Sequence, residues 1–295
     1  MKRTILLLAV ALVAGCSGRN GSYDASGTFE ATEIIVSSEA NGKIMRFDVE
    51  EGNLLQQGQQ VGYVDTVQLY LKKLQLIRST GAVGSRRQDI SKQVAATREQ
   101  ISKQKYERER TLRLLDANAV NRKQLDDIDS QIAVLERQLE AQLSSLTSAN
   151  MSVSGESSAM EVQVAQVEDM LAKSHITSPI TGTVLVKYAE RDEVTAAGRP
   201  LFKIADVDNM ILRVYVTSGQ LTDLRIGQKV NVMADSGDKG SREYEGTVTW
   251  IADKAEFTPK TIQTRDERAN LVYAVKIAVK NDGLLKIGMY ADVKF

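Results

Sequence analysis

The longest regular pattern in the chain is a seven-residue hydrophobic repeat. Leu125, Ile132, Leu139, Leu146, Val153, Met160 and Val167 follow one another at that spacing. Ile128 and Leu135 fill a second seam position at first, and Leu143, Val164 and Leu171 take a neighbouring one later. Such a stripe on one helix face is the seam of a coiled coil. A weaker stripe precedes it: Ile90, Val94, Ile101, Leu112 and Leu115, with Glu99, Lys103 and Glu107 spaced for charge pairs four apart. Residues 66–173 contain no proline and are rich in good helix formers. The stripes part at Asp116 to Asn121. Asn118 is suited to end the first helix, and Asn121 followed by Gln124 resembles a capping box opening the second. The pattern therefore predicts an antiparallel helical hairpin over 66–173 with its tip at 116–121. Arms of about 50 residues would reach ~75 Å if fully helical. Gly81 and Gly84 in the first arm and "SGESS" (154–158) in the second stand at matching distances from the tip. They predict one joint shared by both arms.

The flanks of the hairpin repeat each other. "NGKIMRFDVEEGNLLQQGQQVGYVD" (41–65) aligns with "TGTVLVKYAERDEVTAAGRPLFKIA" (181–205) at an offset of 140. Gly42 matches Gly182, Ile44 Val184, Glu50 Glu190, Leu54 Val194, Gly58 Gly198, Val61 Leu201 and Val64 Ile204. Each half reads as short strands joined by tight glycine turns. Neither can bury a core alone, so the two should pack as one small β domain, closed only when the hairpin returns the chain. From Val207 onward the pattern alternates in "MILRVYV", "KVNVMA", "YEGTVTWI", "LVYAVKIAV" and "MYADVKF", with a short helix from Ser218 to Leu224. That predicts a small β-barrel, to which "SGTFEATEIIVSS" near the N-terminus can add a strand. The fold class is thus α+β and elongated, with a coiled-coil hairpin inserted between the halves of a β domain and a barrel after it.

Composition agrees. Aromatic residues make up only 5% of the chain, little for one large globular core, while charge balances at 38 basic and 38 acidic residues. No basic excess points to nucleic acid. The N-terminus changes the picture more. Lys2 and Arg3 precede an apolar stretch, Thr4 to Ala14, too short to span a bilayer comfortably, and it ends in Leu12-Val13-Ala14-Gly15-Cys16. This resembles a bacterial lipobox. Residues 1–15 are then a signal peptide and Cys16, the only cysteine, is the lipid attachment site. The alternative is an uncleaved anchor with an incidental cysteine.

Catalytic chemistry finds little support. His175 is the only histidine, which argues against histidine metal sites and Ser-His triads. Asp126, Asp127 and Asp129 read as helix-start residues favourable to the dipole rather than an acid/base pair. No phosphate-binding GxxxxGK[ST] occurs. A swinging-cofactor carrier would need a lysine on the turn between the β halves, but Asp65-Thr66 leads straight into helix, and Lys72 and Lys73 read as a solvated face. The chain is therefore expected to be no enzyme and to hold no cofactor or metal.

The order of lipoprotein signal, half-motif, hairpin, half-motif and barrel resembles the periplasmic adaptor proteins, or membrane fusion proteins, of the HlyD type, and the β halves resemble a lipoyl/biotinyl domain. The implied organisation is a linker and barrel-joining strand at 16–36, lipoyl-like halves at 37–65 and 174–206 around the hairpin, and the barrel at 207–295. "EFTPKTIQT" (256–264) followed by "ER" (267–268) resembles the branch serving ABC transporters. The resemblance implies an adaptor bridging an inner-membrane transporter to a TolC-like outer-membrane channel. It also implies a ring of copies, a hexamer in the family, and a place in the periplasm of a Gram-negative bacterium, lipid-anchored to the inner membrane. Ser17 stands where an Asp marks inner-membrane retention in enteric bacteria. Family tips carry an Arg, a Leu four residues on and a Ser seven further on. Arg110 and Leu114 hold the first two positions and Asn121 the third. The resemblance also implies a membrane-proximal domain that is short, built partly from 23–36, or missing. Competing readings are an adaptor of a proton-driven RND pump and a structural coiled-coil lipoprotein.

Overall fold

The computed structural model describes residues 23–235, 240–257 and 271–295. Cys16 and most of the 256–268 motif lie outside these. The chain divides into two compact units. One comprises the residues up to Ser38 with Ile44–Gly62 and Ile176–Phe295, and the other Glu39–Lys43 with Tyr63–His175.

In the first unit the offset-140 repeat becomes a hydrogen-bonded exchange. The first half supplies β2 (Gly42–Phe47), β3 (Leu54–Leu55) and β4 (Gln60–Val64). The second supplies β5 (His175–Thr177), β6 (Gly182–Lys187), β7 (Val194–Thr195) and the start of β8 (Pro200–Thr217). Each short strand pairs with the other half: β3 lies on β6, and β7 on β2. The bonds come in twins. Ile44 N–H donates to Glu193 O at 2.8 Å, as Val184 N–H does to Asn53 O at 2.9 Å. Asp192 N–H donates to Ile44 O and Gly52 N–H to Val184 O, both at 2.9 Å. Gly198 N–H reaches Ser38 O and Gly58 N–H reaches Ser178 O, both at 2.8 Å. Gly58 and Gly198 sit at φ 78° and 86°, where a side chain is strained, which explains why both halves keep glycine. Gly52 (φ 88°) is matched by Asp192 (φ 73°), so one half carries the same turn on an aspartate. The shared core is Ile44, Val61, Val184, Leu201 and Ile204, all nearly fully buried, with Phe47 tilted against Phe202 at 6.2 Å between centroids.

The barrel is a closed ring of six strands. β1 (Ala25–Ser37), β8, β9 (Lys229–Asp235), β10 (Ser241–Ile251), β12 (Leu271–Lys280) and β13 (Tyr290–Lys294) pair around, β12 returns to β8, and the two-residue β11 (Glu256–Phe257) adds to β12. Alternate residues point inward, so Phe29, Leu212, Val214, Val232, Val275, Ile277 and Val293 fill it. β1 and β8 each run without a break from barrel into lipoyl-like half. Gly27–Glu30 faces Ile211–Val214, a bulge follows, and Thr32–Val36 faces Phe202–Asp206. Residues 25–37 thus lie in one long strand, paired with β13 at its start and with β8 along its length. The short helix also differs: it covers Ser218–Leu221, capped by Thr217 and Gln220.

In the second unit the first arm is three helices, α1 (Val67–Gly84), α2 (Ile90–Gln93) and α3 (Ala95–Asp116), while the second is one, α4 (Arg122–Lys173). Every residue of the seven-residue repeat is buried or half-buried. The expected joint is present in one arm only. The first arm breaks just after Gly84, whereas α4 runs unbroken through Ser154–Ser158. An isolated Gly costs a helix only about 1 kcal/mol relative to Ala, which the packed seam of a 52-residue helix easily absorbs. The break is built by side chains. Asn150, 8% exposed, occupies a seam position between Leu143 and Val164. Its Oδ1 accepts from Gln88 N–H and its Nδ2 donates to Gln88 O, both at 2.9 Å, so it satisfies the backbone where the helix is interrupted. Asp89 then caps α2 by accepting from Lys92 N–H.

Asn150→Leu would leave the Gln88 amide and carbonyl unpaired. A local loss of about 1–3 kcal/mol is expected, read as lost hydrogen-exchange protection from Gln88 to Val94. Gly155→Ala is expected to act the other way, by about 0.5–1 kcal/mol in thermal unfolding, since a Cβ there meets nothing within 4 Å. The Ser91 hydroxyl and then the Lys92 amide hold the Asp89 carboxyl below the usual carboxylate range. A depressed acid stabilises the fold fully above its unfolded pKa and loses that contribution as pH falls through the folded value. Acidification from neutral pH should therefore weaken the α2 cap, and Asp89→Asn should flatten the pH dependence of Lys92 amide exchange.

Candidate docking site at the hairpin tip

The first arm ends in a Schellman motif. Asn118 adopts φ 54°, its N–H donates to Leu115 O at 2.9 Å, and Ala119 N–H donates to Leu114 O at 2.8 Å. Asparagine tolerates this left-handed position better than most residues. Two residues later Asn121 is extended (φ −93°, ψ 155°), and its Oδ1 accepts from Gln124 N–H at 3.1 Å to open α4. One asparagine stops a helix and another starts the next, so a short connection reverses the chain.

Behind the tip the arms are tied by ion pairs. Arg108 Nε donates to Asp129 Oδ1 at 2.5 Å, and Lys105 pairs with Glu136 at 2.8 Å. The Asp129 hydrogen bond raises the Arg108 guanidinium above its ordinary value. Asp129 is therefore a cross-arm partner rather than a helix-start residue, and α4 begins at Arg122, which moves Asp126 and Asp127 beyond its first turn.

Leu112 and Leu115 are half-buried toward the other arm, but Leu114 is 39% exposed. It lines a shallow groove with Arg110, Glu107, Val120, Gln124 and Ile128, open at the surface of the hairpin. Arg110 is solvent-exposed and, among the described residues, pairs with its neighbour Glu107 at 3.6 Å. The structure thus brings Arg110 and Leu114 together with Val120. Asn121 is not among the groove residues, and its carbonyl oxygen is engaged in the cap. Glu107, Gln124 and Ile128 escape sequence reading as groove residues because Ile128 scores as seam. The groove combines the apolar side chains of Leu114, Val120 and Ile128 with one cation, Arg110, and two carboxylates, Glu107 and Asp127. Among the described residues no group of three or more His, Cys, Asp or Glu could hold a metal, and no helix is long and apolar enough to cross a membrane.

Comparison with known proteins places this architecture. No family model matches the chain. A 121-residue segment is 32% identical to a UPF0194 membrane protein of Yersinia pseudotuberculosis, covering 41% of this chain and 36% of that one. The match thus spans about a third of the length of these relatives. A UPF0194 membrane protein of Acidithiobacillus ferridurans is 25% identical over 99% of this chain and 95% of its own. Among solved structures, MacA from Actinobacillus actinomycetemcomitans superposes with a TM-score of 0.55 at 19% identity, over 94% of this chain and 79% of that one. The membrane fusion protein Spr0693 from Streptococcus pneumoniae R6 gives 0.51 at 18%, over 91% and 96%. The fold is that of these two solved proteins, one of them a membrane fusion protein, and the resemblance drawn from the sequence holds at the level of the fold.

Asn121→Ala is expected to cost about 1 kcal/mol through the lost cap and to release the Gln124 amide to exchange, whereas Asn121→Ser, itself a good cap, should leave both unchanged.

Proposed function

We propose that this chain is the periplasmic adaptor of a tripartite export system. It bridges an inner-membrane transporter, of the ABC class, to a TolC-like outer-membrane channel through the hairpin tip. Cys16 carries the lipid that holds it to the inner membrane, and several copies assemble as a ring. Substrate passes without chemical change, so the chain needs neither catalytic residue nor cofactor. The ABC assignment rests on the resemblance of "EFTPKTIQT" and "ER".

The observation that carries the reading is the position of Leu114. A leucine between two seam leucines is turned outward at the tip, beside an exposed arginine and Val120. At 39% exposed, part of its side chain is left open to a partner. In a groove between channel helices Leu114 and Val120 would act as apolar knobs, and Arg110 would donate to carbonyls or carboxylates.

Leu114→Asp would bury an unpaired charge in that contact, a cost of several kcal/mol, while the seam from Leu125 to Val167 stays intact. The expected result is at least a tenfold loss of the outer-membrane channel from crosslinked pulldowns of native membranes, with unchanged helix by circular dichroism. Undiminished recovery of the channel by Leu114→Asp would rule out the tip as the docking surface.

A further inference from the structure

The start of β1 is pinned at one end of the barrel. Asp24 N–H donates to Val293 O at 2.9 Å, its carboxylate accepts from Phe295 N–H at 2.9 Å, and its carbonyl accepts from the Gln220 side chain at 2.5 Å. Gly27 faces Val214 across one edge of β8, and Val272 faces Thr217 across the other. Carried on to the strand end, both registers bring Tyr23 and Leu271 to the level of Ser218. Phe257 of β11 pairs directly with Leu271. This rim is apolar and open: Tyr23 is 45% exposed, Leu271 54% and Phe257 78%. Ile226, 68% exposed, stands at the same end, in the connection from the short helix to β9. Single apolar residues on a surface are ordinary, but a row of them along one edge marks a surface that meets something other than water.

Charge does not supply the partner. Arg225, Lys254 and Lys294 stand around the rim with Asp24, Asp223 and Asp253, while Glu256 pairs with Arg213 and Lys229 with Glu245. The balance leaves little net field to draw a charged molecule. The chain beyond the rim does point to a partner. Six residues, 17–22, separate Cys16 from Tyr23, so the two lie at most about 25 Å apart at ~3.6 Å per residue. The far end of β8, at Pro200, is about 50 Å from the rim at ~3.3 Å per residue. A lipid on Cys16 therefore keeps the rim, and not the lipoyl-like end, within reach of a bilayer surface.

We propose that this rim is a lipid-docking edge. Phe257, Leu271 and Ile226 enter the acyl boundary of the membrane that holds Cys16, and Tyr23 lies at the headgroup level. Phenylalanine, leucine and isoleucine gain by leaving water, and a tyrosine ring with a polar tip suits the layer between. An acyl anchor alone fixes distance and leaves the barrel free to turn on its tether. The rim adds a second attachment that sets its tilt, so that β1 and β8 rise from the surface. The inference rests on the proposed acylation of Cys16, and the channel contact at the tip takes no part in it.

The test uses the full-length acylated chain in phosphatidylcholine vesicles whose acyl chains carry bromine, a quencher of tryptophan. Trp250, the only tryptophan, gives the baseline. Phe257→Trp puts a reporter on the rim. Leu284→Trp puts one at another exposed site, past the far end of β12 and about 30 Å away. Flotation shows first whether the lipid holds the chain. The expected result is flotation with about twofold or greater quenching of the Phe257→Trp reporter, as insertion to the acyl boundary requires, and none of the Leu284→Trp reporter. Leu271→Asp should restore the emission of the rim reporter, and its quenching should persist at about 1 M salt. Flotation with the two reporters unquenched, or equally quenched, would overturn the docking edge and leave the anchor standing. Quenching lost at high salt would overturn it as well, because the contact would then be one of charge. A chain that does not float removes the anchor and this inference together.

Discussion

Neither β half of this protein can satisfy its own backbone. Ile44 and Val184 give their amides to Glu193 and Asn53, and Gly52 and Asp192 give theirs to Val184 and Ile44, so these four bonds all reach across the repeat. A buried N–H without a partner is costly, which makes the two halves obligate to each other despite an offset of 140 residues. The chain between them must return. An antiparallel hairpin with nearly equal arms does this at any length, because it begins and ends at the same level. A disordered insert of that size would add closure entropy that the small β core would have to overcome, whereas the coiled-coil seam supplies its own stabilisation. The tip is thus free to vary as a surface while the ends stay fixed by the exchange.

Within the hairpin, apolar periodicity sets the pairing and polar side chains set the details. Asn150 in a seam position would be a defect in a uniform coiled coil. Here it holds the interrupted backbone at Gln88, and Thr97 reaches Gln142 nearby at 3.0 Å. Buried polar pairs of this kind fix which residues stand opposite one another. The same division of labour recurs at the tip, where two asparagines turn the chain and Leu114 is left facing out.

Much of this was legible in the sequence, for identifiable reasons. The seam is a long strict repeat, so its inward face could be assigned residue by residue. The β halves keep glycine at 58 and 198 because both need positive φ, and that chemistry repeats visibly. The twin of Gly52 is Asp192, a different residue in the same backbone state, and matching by identity passes over it. Symmetry misled at the joint. Glycines at equal heights suggested breaks in both arms, but Gly155 sits in a helix that packing holds together, and the real break depends on Asn150, from the other arm. A polar residue in line with Leu143 and Val164 was the available signal. At the tip, Arg110 and Leu114 were legible as neighbours one helical turn apart, while the role of Ile128 in their groove was not, because a seam residue and a groove residue share one periodicity. β8 runs on through 206/207, and there its pairing with β1 jumps from Asp206 to Ile211.

The central claim is that the outward leucine at the tip meets the outer-membrane channel. A photo-activatable amino acid placed at position 114 of the full-length chain, irradiated in living cells and followed by mass spectrometry of the captured protein, tests it directly. The account predicts capture of an outer-membrane channel protein from that position. Capture of only other copies of this chain, or of an inner-membrane protein, would contradict it.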